Sequence, residues 1–120
     1  MGATGQVTGT PAGSGATGAW TSAAISIIKQ RSGNILLGGF ANGQNNTNAV
    51  ITLTLLRGVT TVATWQQQTL VVTGSAYYLM PFSAIDTLPD SSAHSYTLQL
   101  VATTGQIQNT GAFEFTAAEL

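Results

Sequence analysis

Beyond residue 19, apolar and polar residues alternate along most of this chain. A period of two marks strands with one dry and one wet face. "VITLTLLR" (50–57) is the cleanest case, with Ile51, Leu53 and Leu55 on one parity and Thr52 and Thr54 on the other. "AAISIIK" puts Ala23, Ile25 and Ile27 on one face, and "NILLGGF" follows after the turn residues Ser32 and Gly33. The Gly38-Gly39 pair in that second segment predicts a bulge or a close backbone contact. In "SSAHSYTLQLVATTG" (91–105), His94, Tyr96, Leu98, Leu100 and Ala102 oppose Ser95, Thr97, Gln99, Val101 and Thr103. "AFEFTAAEL" closes the chain with Phe113, Phe115 and Ala117 on one parity.

The punctuation between these runs is equally readable. "LLRGVTTVATWQQQ" predicts a hairpin at Arg57 and Gly58, the glycine supplying a positive φ. "FANGQNNTNA" predicts an amide-rich loop, and "TLVVTGSAYYLMPF" two strands broken at Gly74 and Ser75. "DTLPDSS" predicts a loop, because Pro89 bars continuation of a strand or helix. No segment has the periodicity of an amphipathic helix. Eight or so short strands with regular turn signals predict an all-β fold, an antiparallel β-sandwich or jelly roll.

Residues 1–19 read differently. "MGATGQVTGTPAGSGATGA" is almost wholly Gly, Ala, Thr and Ser, so it offers little to a core, and its glycines raise the entropy cost of ordering it. Its glycine spacing is only partly threefold, and a collagen helix needs glycine at every third position. The expectation is a Gly/Thr/Ala-rich extended arm over 1–19 and a single sandwich domain over 20–120.

Composition sharpens the picture through charge. Only 6% of the 120 residues are charged, against about a quarter in ordinary soluble domains. Lys29, Arg31 and Arg57 face Asp86, Asp90, Glu114 and Glu119, for a net charge of −1. The polar remainder is Thr, Ser, Asn, Gln and Gly, with 19 threonines. Hydroxyls and amides that find partners are far cheaper to desolvate than ions, so this exterior suits a chain covered by its own copies or by a larger assembly. Three basic residues cannot neutralise a phosphate track, which argues against nucleic acid. There is no cysteine, hence no disulfide and no thiolate metal site. The first residues lack the pattern of a signal peptide, and "AVITLTLL" is far shorter than a membrane span.

Candidate chemistry is thin. Asp86, Asp90 and His94 are spaced by four, which on a helix would align them for a metal or for acid–base work. Pro89 breaks that helix, so the expectation is a hydrogen-bonded His94 at the start of a strand and no metal or cofactor. Serine nucleophiles would depend on this one histidine, and no Gly-x-Ser-x-Gly elbow is present. Asp86, Asp90, Glu114 and Glu119 are the only carboxylates available for glycoside cleavage. A small hydrolase is therefore the outsider. Trp65, Tyr77 and Tyr78 could form an aromatic platform for a sugar or a protein, or could pack in a core.

Three segments carry a resemblance. "ITLTLLRGVTTVATW", "AIDTLPDSSAHSYTLQL" and the terminal "FTAAEL" occur in the order and spacing of small phage and bacterial fibre or surface domains. Those domains resemble tumour necrosis factor in being jelly rolls that assemble as trimers, several of them on a Gly-rich stem. Here the hairpin turn lacks the Asp common in the family, and residues 1–19 are not a true collagen repeat.

The resemblance implies a non-enzymatic virion structural protein of a bacteriophage, on the exterior of the capsid or a fibre. A fibre head needs a separate part to attach it, and 19 residues are short for that. The expectation is thus a homotrimeric capsid decoration (cement) protein whose partner is the major capsid protein. Thr8, Thr10, Pro11 and Trp20 are its candidate capsid-binding residues, and three arms per trimer would reinforce one another. Tyr96, Leu98, Phe113 and Phe115 are candidates for the trimer interface. The alternative is a receptor-binding head of a tail or head fibre, whose partner is a host surface receptor met by Asn45, Asn46, Tyr77 and Tyr78.

Overall fold

The structure is a computed structural model that describes residues 4–9, 19–21, 24–28, 34–45, 48–70, 76–87, 93–103 and 113–120. The described residues form nine strands and no helix. They are β1 (Thr4–Gly9), β2 (Ala19–Thr21), β3 (Ile25–Ile28), β4 (Ile35–Asn45), β5 (Ala49–Arg57), β6 (Thr60–Thr69), β7 (Ala76–Asp86), β8 (Ala93–Ala102) and β9 (Phe113–Glu119).

Two antiparallel sheets result. One runs β1-β9-β4-β7; the other runs β2-β8-β5-β6, with β3 also on β8. Trp20 of β2 pairs with Leu100, while Ile25 of β3 pairs with Tyr96, so β2 and β3 act as two halves of one edge strand. Counted that way, each sheet has four positions. The connections β4–β5, β6–β7, β7–β8 and β8–β9 all cross between sheets, whereas β5–β6 is a hairpin within one. This is the double Greek key of a jelly roll.

The alternating residues meet between the sheets. Ile25, Ile27, Ile51, Leu53, Leu55, Tyr96, Leu98 and Leu100 face Ile35, Leu37, Met80, Phe82, Phe113, Phe115 and Ala117 across one continuous core. A side-chain period of two makes the register unforgiving, since a slip by one residue would turn every buried residue outward. Two glycine positions are required by the backbone. Gly58 sits in the β5–β6 turn at φ 58°, as the sequence predicts. Gly39, at φ 152°, lies where β4 crosses β9, and a Cβ there would run into the Glu114 carbonyl. That is the close backbone contact predicted for the Gly38-Gly39 pair.

Two readings of the sequence change. The amide-rich segment starting at Phe40 is not all loop, because β4 continues to Asn45, paired rung for rung with β7 down to Ala76. Residues 4–9, expected in an extended arm outside the sandwich domain, form β1 and pair with β9 from Thr4–Ala118 to Gly9–Phe113. A Cβ on Gly5 would collide with Ile25 of the facing sheet, so β1 approaches β3 at the spot where its side chain is smallest. β1 covers the hydrogen-bonding edge of β9, and this tertiary gain outweighs the poor local propensity of a Gly-rich strand.

Candidate interaction surfaces

The sandwich turns the four residues expected at the trimer interface inward. Tyr96 and Leu98 on β8 and Phe113 and Phe115 on β9 are all buried within the single chain. The alternation gave the correct dry face, but the opposite sheet covers it rather than a second subunit. Tyr78, a candidate receptor contact, is buried as well. Its hydroxyl has no hydrogen-bond partner among the described residues, and desolvation pushes its pKa up to about 12. Asn45 and Tyr77 lie on adjacent strands at one end of the sheet, where Asn45 pairs with Ala76 and Gln44 with Tyr77. Asn46 lies outside the described residues. Among the capsid-binding candidates, Thr8 pairs with Glu114 on β1 and Trp20 with Leu100 on β2, while Thr10 and Pro11 lie outside the described residues.

The Asp86, Asp90 and His94 series does not assemble. His94 stands half-buried on β8, opposite Ile27, and Asp90 is outside the described residues. Asp86 ends β7 on its inward parity and binds Arg57. The Arg57 Nη1 donates to both carboxylate oxygens, at 2.6 and 2.7 Å, and the Tyr96 hydroxyl donates to Oδ2 at 2.7 Å. Burial, then the hydrogen bond to Asp86 and its negative charge, hold the Tyr96 phenol far above its ordinary pKa, with Arg57 pulling weakly the other way. Glu119 is buried on β9, opposite Ile35, whose other neighbour is Asp86. This end of the sandwich therefore concentrates three of the chain's seven charged side chains, with Arg57 joining the two sheets. Its chemistry is that of a clamp, with both Asp86 oxygens engaged by donors from the opposite sheet. Among the described residues no group of three His, Asp or Glu side chains is placed to hold a metal.

The outer faces of the two sheets differ in chemistry. On the β2-β8-β5-β6 sheet, Ser26, Ser95, Thr97, Gln99, Thr52, Thr54, Thr64 and Gln66 point outward. Ser26 and Ser95 share a hydrogen bond of 3.2 Å, and Gln66 donates to Thr52 at 3.3 Å. This face is a lattice of hydroxyls and amides. On the other sheet, the outward parity of β7, β4 and β9 lines up Ile85, Leu36 and Ala118 in one row, with Ser83, Gly38 and Thr116 in the next. Ile85 is 56% and Leu36 42% exposed. Glu114 is the one charged residue at the outward positions of this sheet, β1 included.

A third feature lies where the edge strands β6 and β7 approach one another. Trp65, Gln66, Gln67, Leu79, Met80 and Pro81 line an open groove of about 240 Å³. The Trp65 ring rests against Phe82, centroids 5.3 Å apart and planes at 45°, so the core fixes its attitude. Gln67 accepts a hydrogen bond from the Leu79 N–H at 3.2 Å, bridging the two edges.

No family model and no curated protein sequence matches the chain. Among solved structures, it is similar to a chain of infectious bursal disease virus, Gx strain, with a TM-score of 0.61 and 17% identity over 99% of this chain and 32% of that one. The Gt strain of the same virus aligns at TM-score 0.49 and 18% identity, over 97% of this chain and 29% of that one. The tumour necrosis factor protein Eiger from S. frugiperda aligns at TM-score 0.39 and 12% identity, over 79% of this chain and 64% of that one. This chain thus spans about a third of the length of the Gx-strain chain. At 17% identity the likeness to the Gx-strain chain bears on fold alone, and the strand order itself makes the domain a jelly roll.

Proposed function

We propose that this chain is a non-enzymatic structural protein of a bacteriophage particle, a homotrimer that decorates the capsid exterior. One observation carries the reading: the outer face of β9-β4-β7 holds a single charge and an apolar row of Ile85, Leu36 and Ala118, with Leu36 and Ile85 open to solvent. An exposed apolar row on a chain with so few charges is a surface made to be covered. A second and third copy are the covering we assign to it, with Ile85, Leu36 and Ala118 as the seam. This moves the interface one residue in parity from the candidates read off the sequence. The jelly-roll fold shared with a virus structure, and the resemblance to phage trimeric domains, support the virion setting.

With Thr4–Gly9 built into the sandwich, the capsid contact falls to Thr10 and Pro11 rather than to the whole stretch 1–19. Cosedimentation with purified capsids lacking decoration tests this. The intact chain pellets with the shells and a Thr10→Ala/Pro11→Ala variant stays in the supernatant. An intact chain that does not pellet contradicts the decoration role. The placing of Asn45 beside Ala76 and of Gln44 beside Tyr77 favours a second reading, a receptor-binding fibre head whose contact surface is that end of the sheet. Attachment of the trimer to host cells, without capsid binding, selects it.

A further inference from the structure

We infer that the groove between β6 and β7 is a binding site for one neutral sugar ring of a glycan. No charged side chain lines it, so an ionic ligand would lose its hydration without a counter-charge. The lining instead pairs an aromatic wall with carboxamides. Trp65 presents an indole held in place by Phe82, and the C–H face of a pyranose stacks on such a ring. The two glutamines keep hydrogen-bonding capacity after their structural bonds are counted. Gln67 accepts from the Leu79 N–H through its oxygen, which orients the amide and leaves its two N–H hydrogens as donors. Gln66, outward on β6 and so at the rim of the groove, donates to Thr52 and retains its carbonyl oxygen as an acceptor. Leu79, Met80 and Pro81 close the opposite wall. Pro81 also removes a backbone donor from the β7 edge, and Gln67 occupies another, so the groove is poorly suited to an added β-strand. At about 240 Å³ the space is too small for an extended ligand to be engulfed and is open enough for a ring within a chain to be held at one side.

The site does not depend on the trimer or on a capsid. Leu79 lies six residues along β7 from Ile85, about 20 Å away, so the groove and the seam are separate. Saturation-transfer NMR of the intact chain with the methyl glycosides of glucose, galactose, mannose and N-acetylglucosamine tests it. The expected result is transfer to the ring protons of at least one glycoside, abolished in Trp65→Ala and in Gln66→Ala. Gln66 is exposed, so its variant keeps the fold even if the loss of Trp65 disturbs packing on Phe82. No transfer to any of the four sugars, or transfer that persists in Gln66→Ala and in a folded Trp65→Ala, overturns the inference.

Discussion

Arg57 offers the most quantitative test of how the two sheets are held together. In Arg57→Met the long stem survives, but the Asp86 carboxylate, 8% exposed, keeps the Tyr96 hydroxyl at 2.7 Å and loses its cation. Stranding one member of a buried ion pair costs about 3–5 kcal/mol. The Arg57 side chain is 27% exposed, so water reaches part of the site and the lower end, about 3 kcal/mol, applies. A domain of this length holds roughly 6–18 kcal/mol of stability, and the loss translates to a fall in Tm of about 12 °C. Urea titration followed by circular dichroism reads it directly. The triple variant Arg57→Met/Asp86→Leu/Tyr96→Phe removes the charges and the hydroxyl together and recovers most of the loss, because an apolar replacement of a buried pair is near neutral. An Arg57→Met variant within about 1 kcal/mol of the parent, or a triple variant no better than the single, refutes the clamp.

Gly39→Val combines a disfavoured φ with a collision against the Glu114 carbonyl, and costs about 2–5 kcal/mol by the same denaturation assay. Deleting residues 1–9 strips β1 from β9; the product melts lower and scatters light, whereas a free arm could be removed with no change in Tm. Tyr78 titrates near 12 in the folded chain and near 10 when unfolded, so its neutral form favours folding. That stabilisation is complete below pH 10 and is lost as pH rises towards 12, and a Tyr78→Phe variant loses less stability over this window in a pH-resolved melt.

Where one face of a strand is dry and the other wet, the sequence declares it. β3, β5, β8 and β9 were readable because Ile25/Ile27, Ile51/Leu53/Leu55, Tyr96/Leu98/Leu100 and Phe113/Phe115 keep strict parity. The pattern does not say what covers the dry face, which is why the sandwich interior could be mistaken for a subunit interface. β1 was hidden because "TGQVTG" contains a single large apolar residue, and its order comes from pairing with β9, a partner over a hundred residues away. The end of β4 was hidden for a similar reason, since Asn42, Gly43 and Asn45 have loop chemistry and are held by β7. The clamp left one signal: Asp86 shares the parity of Met80 and Phe82, and a carboxylate on a buried parity demands a partner. Its identity required topology, since Arg57 and Tyr96 come from the opposite sheet.

The central claim is that this sparsely charged exterior exists to be covered by copies of itself, and native mass spectrometry at micromolar concentration measures that most directly. The account predicts a species near 37 kDa, three copies of the 12.3 kDa chain, that falls to 12.3 kDa in Leu36→Lys/Ile85→Lys with its β-sheet spectrum intact. A parent chain that runs as a monomer, or a trimer indifferent to both lysines, contradicts it.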